Sequence, residues 1–154
     1  MLYSQEFYAA ARKRLKPGGI LAQWLPNGDR EDLASVARAL HNSFPYIRVF
    51  RWGNRFGFHF LASEQPLPNL TAEELTRRLP ADAATDLAEW AIPEKRSEAA
   101  LLTFQSLLQS EVPIEAMIQE SPTTPALSDD RPINEYYIMR RLARMPGIMG
   151  VGIN

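Results

Sequence analysis

The sequence predicts an α/β protein: a partial sheet of about three strands that closes in an antiparallel hairpin, followed by an α-helical C-terminal extension. Three observations carry that expectation. Leu15-Lys16-Pro17-Gly18-Gly19-Ile20 stops a helix and opens an apolar strand within a few residues. Two β-rich runs, 46–52 and 56–62, are separated only by the turn signal Gly53-Asn54-Arg55, so they must be antiparallel neighbours. Beyond residue 63 the strand pattern gives way to helical spacing and capping signals.

The elements follow in order. Ser4 is a good N-cap, Glu6 suits the positive end of a helix, and Phe7, Tyr8, Ala11 and Leu15 fall on one face. Ile20-Leu21-Ala22-Gln23-Trp24-Leu25 reads as a short strand, nearly continuous in apolar residues, as expected where both sheet faces are covered. Asp29 is placed to cap the next helix, whose Leu33, Val36, Ala37, Leu40 and Phe44 form an amphipathic stripe closed by Pro45. The hairpin strands follow. Residues 64–70, with two prolines, read as a linker. Thr71 and Glu74 make a capping box, 82–91 and 97–109 read as helices, and Pro113 suits the first turn of a short one. Residues 121–133 form a loop, 134–144 a last helix, and the glycine-containing tail from Pro146 frays.

With 154 residues, 45% of them hydrophobic, the chain suits one globular domain. It has no cysteine, which excludes disulfides, a thiol nucleophile and cysteine-ligated zinc. No signal-peptide pattern opens it, and no apolar run approaches the ~18–20 residues that cross a bilayer. The expectation is a cytoplasmic protein with no membrane contact. A net charge of -1 gives no reason to expect nucleic acid. The charge is uneven, however: residues 1–63 hold nine Lys/Arg and four Asp/Glu, and residues 64–130 hold four and thirteen. Either the two halves neutralise each other across a contact or simply face water, or the acidic stretch attracts a cationic ligand.

Two segments carry a family resemblance. Leu2-Tyr3-Ser4-Gln5-Glu6-Phe7-Tyr8, continued by Leu15-Lys16-Pro17-Gly18-Gly19-Ile20-Leu21-Ala22-Gln23-Trp24-Leu25-Pro26, resembles the second half of the spermidine synthase (polyamine aminopropyltransferase) family. Asp129-Asp130-Arg131-Pro132-Ile133-Asn134-Glu135-Tyr136-Tyr137 resembles the C-terminal signature of spermidine synthase-like proteins. The likeness covers roughly 2–63 and 128–141. It implies a Rossmann-like sheet of the class I S-adenosylmethionine-dependent methyltransferase type, cut so that 1–63 is the C-terminal half of the transferase domain. On this division 64–70 links to a helical extension, 71–145, and 146–154 is a flexible tail. In the family, decarboxylated S-adenosylmethionine is the co-substrate and a polyamine accepts its aminopropyl group.

The resemblance also defines what these residues lack. An adenosyl cofactor needs a glycine-rich turn after the first strand, and Gly18-Gly19 instead follows a helix and precedes a strand. The family's proton-accepting acid lies just upstream of the Leu-Tyr-Ser segment, ahead of Met1 here. No catalytic residue, metal ligand or bound cofactor is therefore assigned, and the chain alone is expected to be inactive.

Candidate substrate-binding residues are Tyr3, Gln23, Trp24 and Trp52. In the family a glutamine near the end of this strand binds the polyamine, because an amide oxygen accepts from an ammonium. Gln23 stands one residue earlier than that glutamine, and a one-residue slip turns a strand side chain to the other face. Read alone, it is equally a glutamine satisfied by backbone groups at a sheet edge. Tyr3, Trp24 and Trp52 would wall an aliphatic amine by apolar and cation–π contact, or serve simply as core and rim. Asp129, Asp130 and Arg131 read as a structural lock on the C-terminal segment. His41 and His59 read as structural, and Arg12, Lys13, Arg14 and Lys16 as a solvated face. Expected partners are a polyamine or other small amine, a second copy of the chain, or a separately encoded N-terminal half. The alternatives to a spermidine synthase-like protein are a non-catalytic binding or oligomerisation module and one half of a split methyltransferase-like enzyme.

Overall fold

The computed structural model describes residues 2–51 and 57–131. Helix α1, Gln5–Arg12, starts where Ser4 predicts: its hydroxyl accepts the Phe7 N–H at 3.1 Å. The exit is a tight turn in which the Gly19 N–H donates to the Lys16 carbonyl at 2.8 Å. Gly18 takes φ +73°, as the third position of a type II turn requires, with Pro17 suited to the second. Strand β1, Ile20–Leu25, helix α2, Arg30–Ser43, and strands β2, Tyr46–Arg51, and β3, Phe58–Ser63, follow in the expected order. Asp29 occupies the N-cap of α2 but makes no side-chain cap hydrogen bond.

The sheet has four strands, not about three, in the order β1-β3-β2-β4. The fourth, β4, is Glu111–Val112, paired with Val49 and Phe50. Two residues wedged between a helix end and Pro113 carry no periodic signal, so this strand exists only because β2 offers it a ladder. Every neighbouring pair is antiparallel, including the β2–β3 pair expected from the Gly-Asn-Arg turn. β1 and β2 therefore run the same way with β3 between them, joined by α2.

Register assigns each side chain to a face. Leu21, Gln23 and Leu25 share one face with Ala62, Phe60 and Phe58 and with Ile47 and Val49. This face meets α1, α2 and helix α6, Ile114–Gln119, in a single core that includes Tyr8, Val36, Leu40, Phe44, Met117 and Leu127. The opposite face carries Ile20, Ala22, Trp24, Arg48, Phe50, His59 and Leu61. β1 departs from expectation here: Ile20 is 45% exposed and Trp24 50%. Among the described residues its apolar run belongs to an edge strand covered on one face, not to a strand buried on both.

The capping box forms, Thr71 accepting from the Glu74 N–H at 3.2 Å and Glu74 from the Thr71 N–H at 2.8 Å, and it opens helix α3, Ala72–Arg78. Helix α4 is Ala81–Glu89. The helix expected over 97–109 divides into a 3-10 turn, Pro93–Glu98, and helix α5, Ala99–Gln109. The helix expected over 134–144 and the tail lie outside the described residues. Among the described residues, no helix is long and apolar enough to cross a membrane.

The uneven charge has a structural use. Arg12 pairs with Glu64, Arg30 with Glu120 and Arg48 with Glu111. Each pair joins a basic residue of the first 63 to an acidic residue of the next stretch, which is the neutralising alternative. The Arg30–Glu120 pair is mostly exposed and the Arg12–Glu64 pair nearly half exposed, so these two set orientation more than stability, whereas Arg48 is largely covered.

Candidate functional site

At the C-terminal end of β1, where open α/β sheets place ligands, two tyrosine hydroxyls reach the strand. The Tyr8 hydroxyl donates to Gln23 Oε1 at 2.6 Å, and the Tyr3 hydroxyl donates to the Trp24 carbonyl at 3.1 Å. Burial, reinforced by the nearby Tyr3, pushes the Tyr8 phenol above its ordinary range. It stays protonated and acts as a fixed donor. Gln23 is thus satisfied by a buried tyrosine of α1, not by backbone groups at an edge. Tyr3 holds φ +72°, a conformation uncommon for any residue but glycine.

The four candidate substrate residues do not converge. Gln23 faces α1 while Trp24, its neighbour, points to the open face. Tyr3 reaches the backbone of this strand end, and Trp52 lies outside the described residues. Asp129, Asp130 and Arg131 are exposed, beside the first turn of α1. Hydrogen bonds hold this segment against the start of α1: the Asp129 N–H donates to the Glu6 carboxylate at 3.0 Å, the Gln5 N–H to the Leu127 carbonyl at 2.9 Å, and the Arg131 N–H to the Ser128 carbonyl at 3.0 Å.

A second, apolar site lies on the other face of the sheet. A cleft of about 690 Å³ opens between the second face of the sheet and the helical extension. Ile20, Phe50, His59 and Leu61 form its floor, Leu67 and Leu70 one wall, and Leu75 of α3 with Phe104, Leu107 and Leu108 of α5 the other. Among the described residues its one guanidinium is that of Arg48, fixed by Glu111 through two hydrogen bonds, Nε to Oε1 at 2.7 Å and Nη2 to Oε2 at 2.6 Å, with Nη1 on the Pro68 carbonyl at 3.3 Å. The guanidinium also lies 4.9 Å from the Phe50 ring centroid. With its charge matched, Arg48 braces the floor of a cleft whose lining is mainly apolar. Among the described residues no cluster of three His, Asp or Glu side chains could hold a metal ion.

This brace titrates. The hydrogen bond from Arg48, aided by its charge, holds the Glu111 carboxyl below its ordinary value of 4.5. A carboxyl depressed in the folded state stabilises above its unfolded value and loses that contribution as pH falls through the folded one. Wild-type stability is therefore expected to drop by up to about 1 kcal/mol more than that of Glu111→Gln as pH is lowered from about 5 to 3. Urea midpoints across that range provide the check, and parallel curves for the two proteins would contradict it.

The sequence left one visible trace of the cleft. Leu101, Leu102, Phe104, Leu107 and Leu108 surround α5 more widely than one buried stripe needs, and Ala99 is its one fully buried residue. No protein-family model, curated protein or solved structure matches the chain.

Proposed function

We propose that the chain is the amine-side half of a spermidine synthase-like fold and acts as a binding module, without aminopropyl transfer of its own. The observation that carries this reading is the sheet order. β3 lies antiparallel between β1 and β2, which run together and are joined by α2. That arrangement is the closing pattern of class I S-adenosylmethionine-dependent transferases, and it occupies the residues that resemble the spermidine synthase segments. The Tyr3–Tyr8–Gln23 cluster at the end of β1 is the corresponding amine-facing wall. Gln23 Oε1 is already bonded to Tyr8, so in this chain the amide is a positioning element with one acceptor site left. The turn and carboxylate that would cradle decarboxylated S-adenosylmethionine have no counterpart in the described residues.

The test is a thermal-shift titration with methylthioadenosine and putrescine. A site of intact affinity gains about 2.7 kcal/mol at roughly 100-fold saturation, a rise of several degrees. The isolated chain is expected to show no shift. A fusion placing a strand and Gly-x-Gly half ahead of Leu2 is expected to show one. A clear shift for the isolated chain, or none for a well-folded fusion, contradicts the reading.

A further inference from the structure

We infer that the apolar cleft is a binding site for one neutral, largely aliphatic small molecule, of the size of a single alkyl or acyl chain. Its volume of about 690 Å³ lies within the roughly 300–1,000 Å³ of small-ligand sites. The layers that bound it turn apolar side chains toward each other without closing on them. Phe104, Leu107 and Leu108 share one face of α5, at i, i+3 and i+4, and line the cleft opposite Leu67 and Leu70. All five stay only partly buried. Protein interiors ordinarily pack such side chains to crystal-like density, with few voids larger than a water molecule.

Contacts at the rim hold the walls in place. Arg48 Nη1 donates to the Pro68 carbonyl at 3.3 Å and fixes the segment between β3 and α3. The Arg51 N–H donates to the Ser110 carbonyl at 3.1 Å, and β4 pairs with Val49 and Phe50, so the C-terminal end of α5 is tied to β2. A cleft braced in this way resists collapse, and an occupant meets walls already formed.

The lining sets the chemistry of that occupant. Leucine and isoleucine supply seven of the twelve lining residues and phenylalanine two, which favours an alkyl chain over an aromatic ring. One of the two rings, Phe50, already has the Arg48 guanidinium 4.9 Å from its centroid. No Asp or Glu lines the cleft, so an ammonium would lose water without gaining a counter-charge. A carboxylate or phosphate would have to displace Glu111, which already holds Arg48 through both oxygens. An α-helix is about 10–12 Å across with its side chains, and three turns fill roughly 1,300 Å³. A partner helix could rest on the rim but not enter. The cleft lies on the face of the sheet opposite Gln23 and Tyr8, so this inference is independent of the amine-side reading.

The test is a titration of the full chain with hexan-1-ol, octan-1-ol and decan-1-ol, followed by methyl NMR. Saturable shifts are expected at the methyl groups of Leu75, Leu107 and Leu108. None is expected at Leu87 or Ile92, which line a separate hollow of about 500 Å³ beside the exposed Trp90. Affinity should rise about tenfold or more for each two CH₂ groups added. Decanoate and decylammonium, kept below micelle-forming concentrations, should bind about tenfold or more weakly than decan-1-ol. Leu108→Trp, with circular dichroism confirming its fold, should fill the cleft and weaken decan-1-ol binding by about tenfold or more. Trp90→Ala should leave that binding unchanged. The inference is overturned if no alcohol binds saturably within its solubility, if affinity ignores chain length, or if either charged analogue matches decan-1-ol. It is equally overturned by shifts as large at Leu87 and Ile92, by a folded Leu108→Trp that binds as before, or by cleft shifts that follow protein concentration instead of alcohol, the sign of a second copy seated there.

Discussion

Gly57→Ala is expected to destabilise the chain by about 3–5 kcal/mol, a large part of the roughly 5–15 kcal/mol that holds a domain folded. Gly57 opens β3 with φ +104°, a region that side chains other than hydrogen rarely tolerate and that alone costs about 1–3 kcal/mol. An added Cβ would also lie 2.1 Å from the Leu25 carbonyl oxygen and 2.9 Å from Pro26 Cα. Both obstacles are backbone, so no side-chain rotation relieves them. Leu25 cannot retreat without breaking its pairing with Phe58 and exposing its buried side chain. Urea unfolding should show a lower midpoint at unchanged slope. A loss below about 1 kcal/mol would mean that the β1–β3 junction is not built as described.

Phe60→Ala is expected to cost about 3–5 kcal/mol as well, through a cavity instead of a clash. Phe60 is 1% exposed at the centre of the sheet, flanked by Gln23 on β1 and Val49 on β2. Its ring lies 6.5 Å from that of Phe58, inside the core beneath α1 and α2. Truncation removes apolar contact from three strands at once, and the paired backbones on either side prevent collapse into the gap. Trp24→Ala removes a larger side chain from the open face, yet it is expected to cost less than about 1 kcal/mol. The comparison tests the assignment of faces. Equal losses at positions 60 and 24 would show that the buried and open faces have been assigned wrongly.

Local chemistry was readable wherever the deciding atoms sit within a few residues of one another. Ser4 caps α1 three residues away, Thr71 and Glu74 cap each other across the same distance, and Pro17-Gly18 turns the chain within four residues. The stripe of α2 faced the core as its spacing requires, with Val36, Ala37 and Leu40 all buried. What the spacing could not show was which groups meet across the sheet. Arg48 and Glu111 are 63 residues apart, and β4 has too few residues to announce itself. The apolar run of β1 suggested burial on both faces, because hydropathy does not record how many neighbours a strand has.

The candidate site divides along the same line. That Gln23 stands near the end of a strand follows from the sequence; that it turns toward Tyr8 and away from Trp24 follows from register, since alternate residues of a strand leave on opposite faces. The order of elements from α1 to β3, the Ser4 cap of α1 and the Gly18 turn were determined by the sequence alone, because each depends on contacts a chain makes with its own near neighbours. The fourth strand, the Arg48–Glu111 brace and the apolar cleft were decided only by tertiary structure, because each depends on distant segments brought into one place.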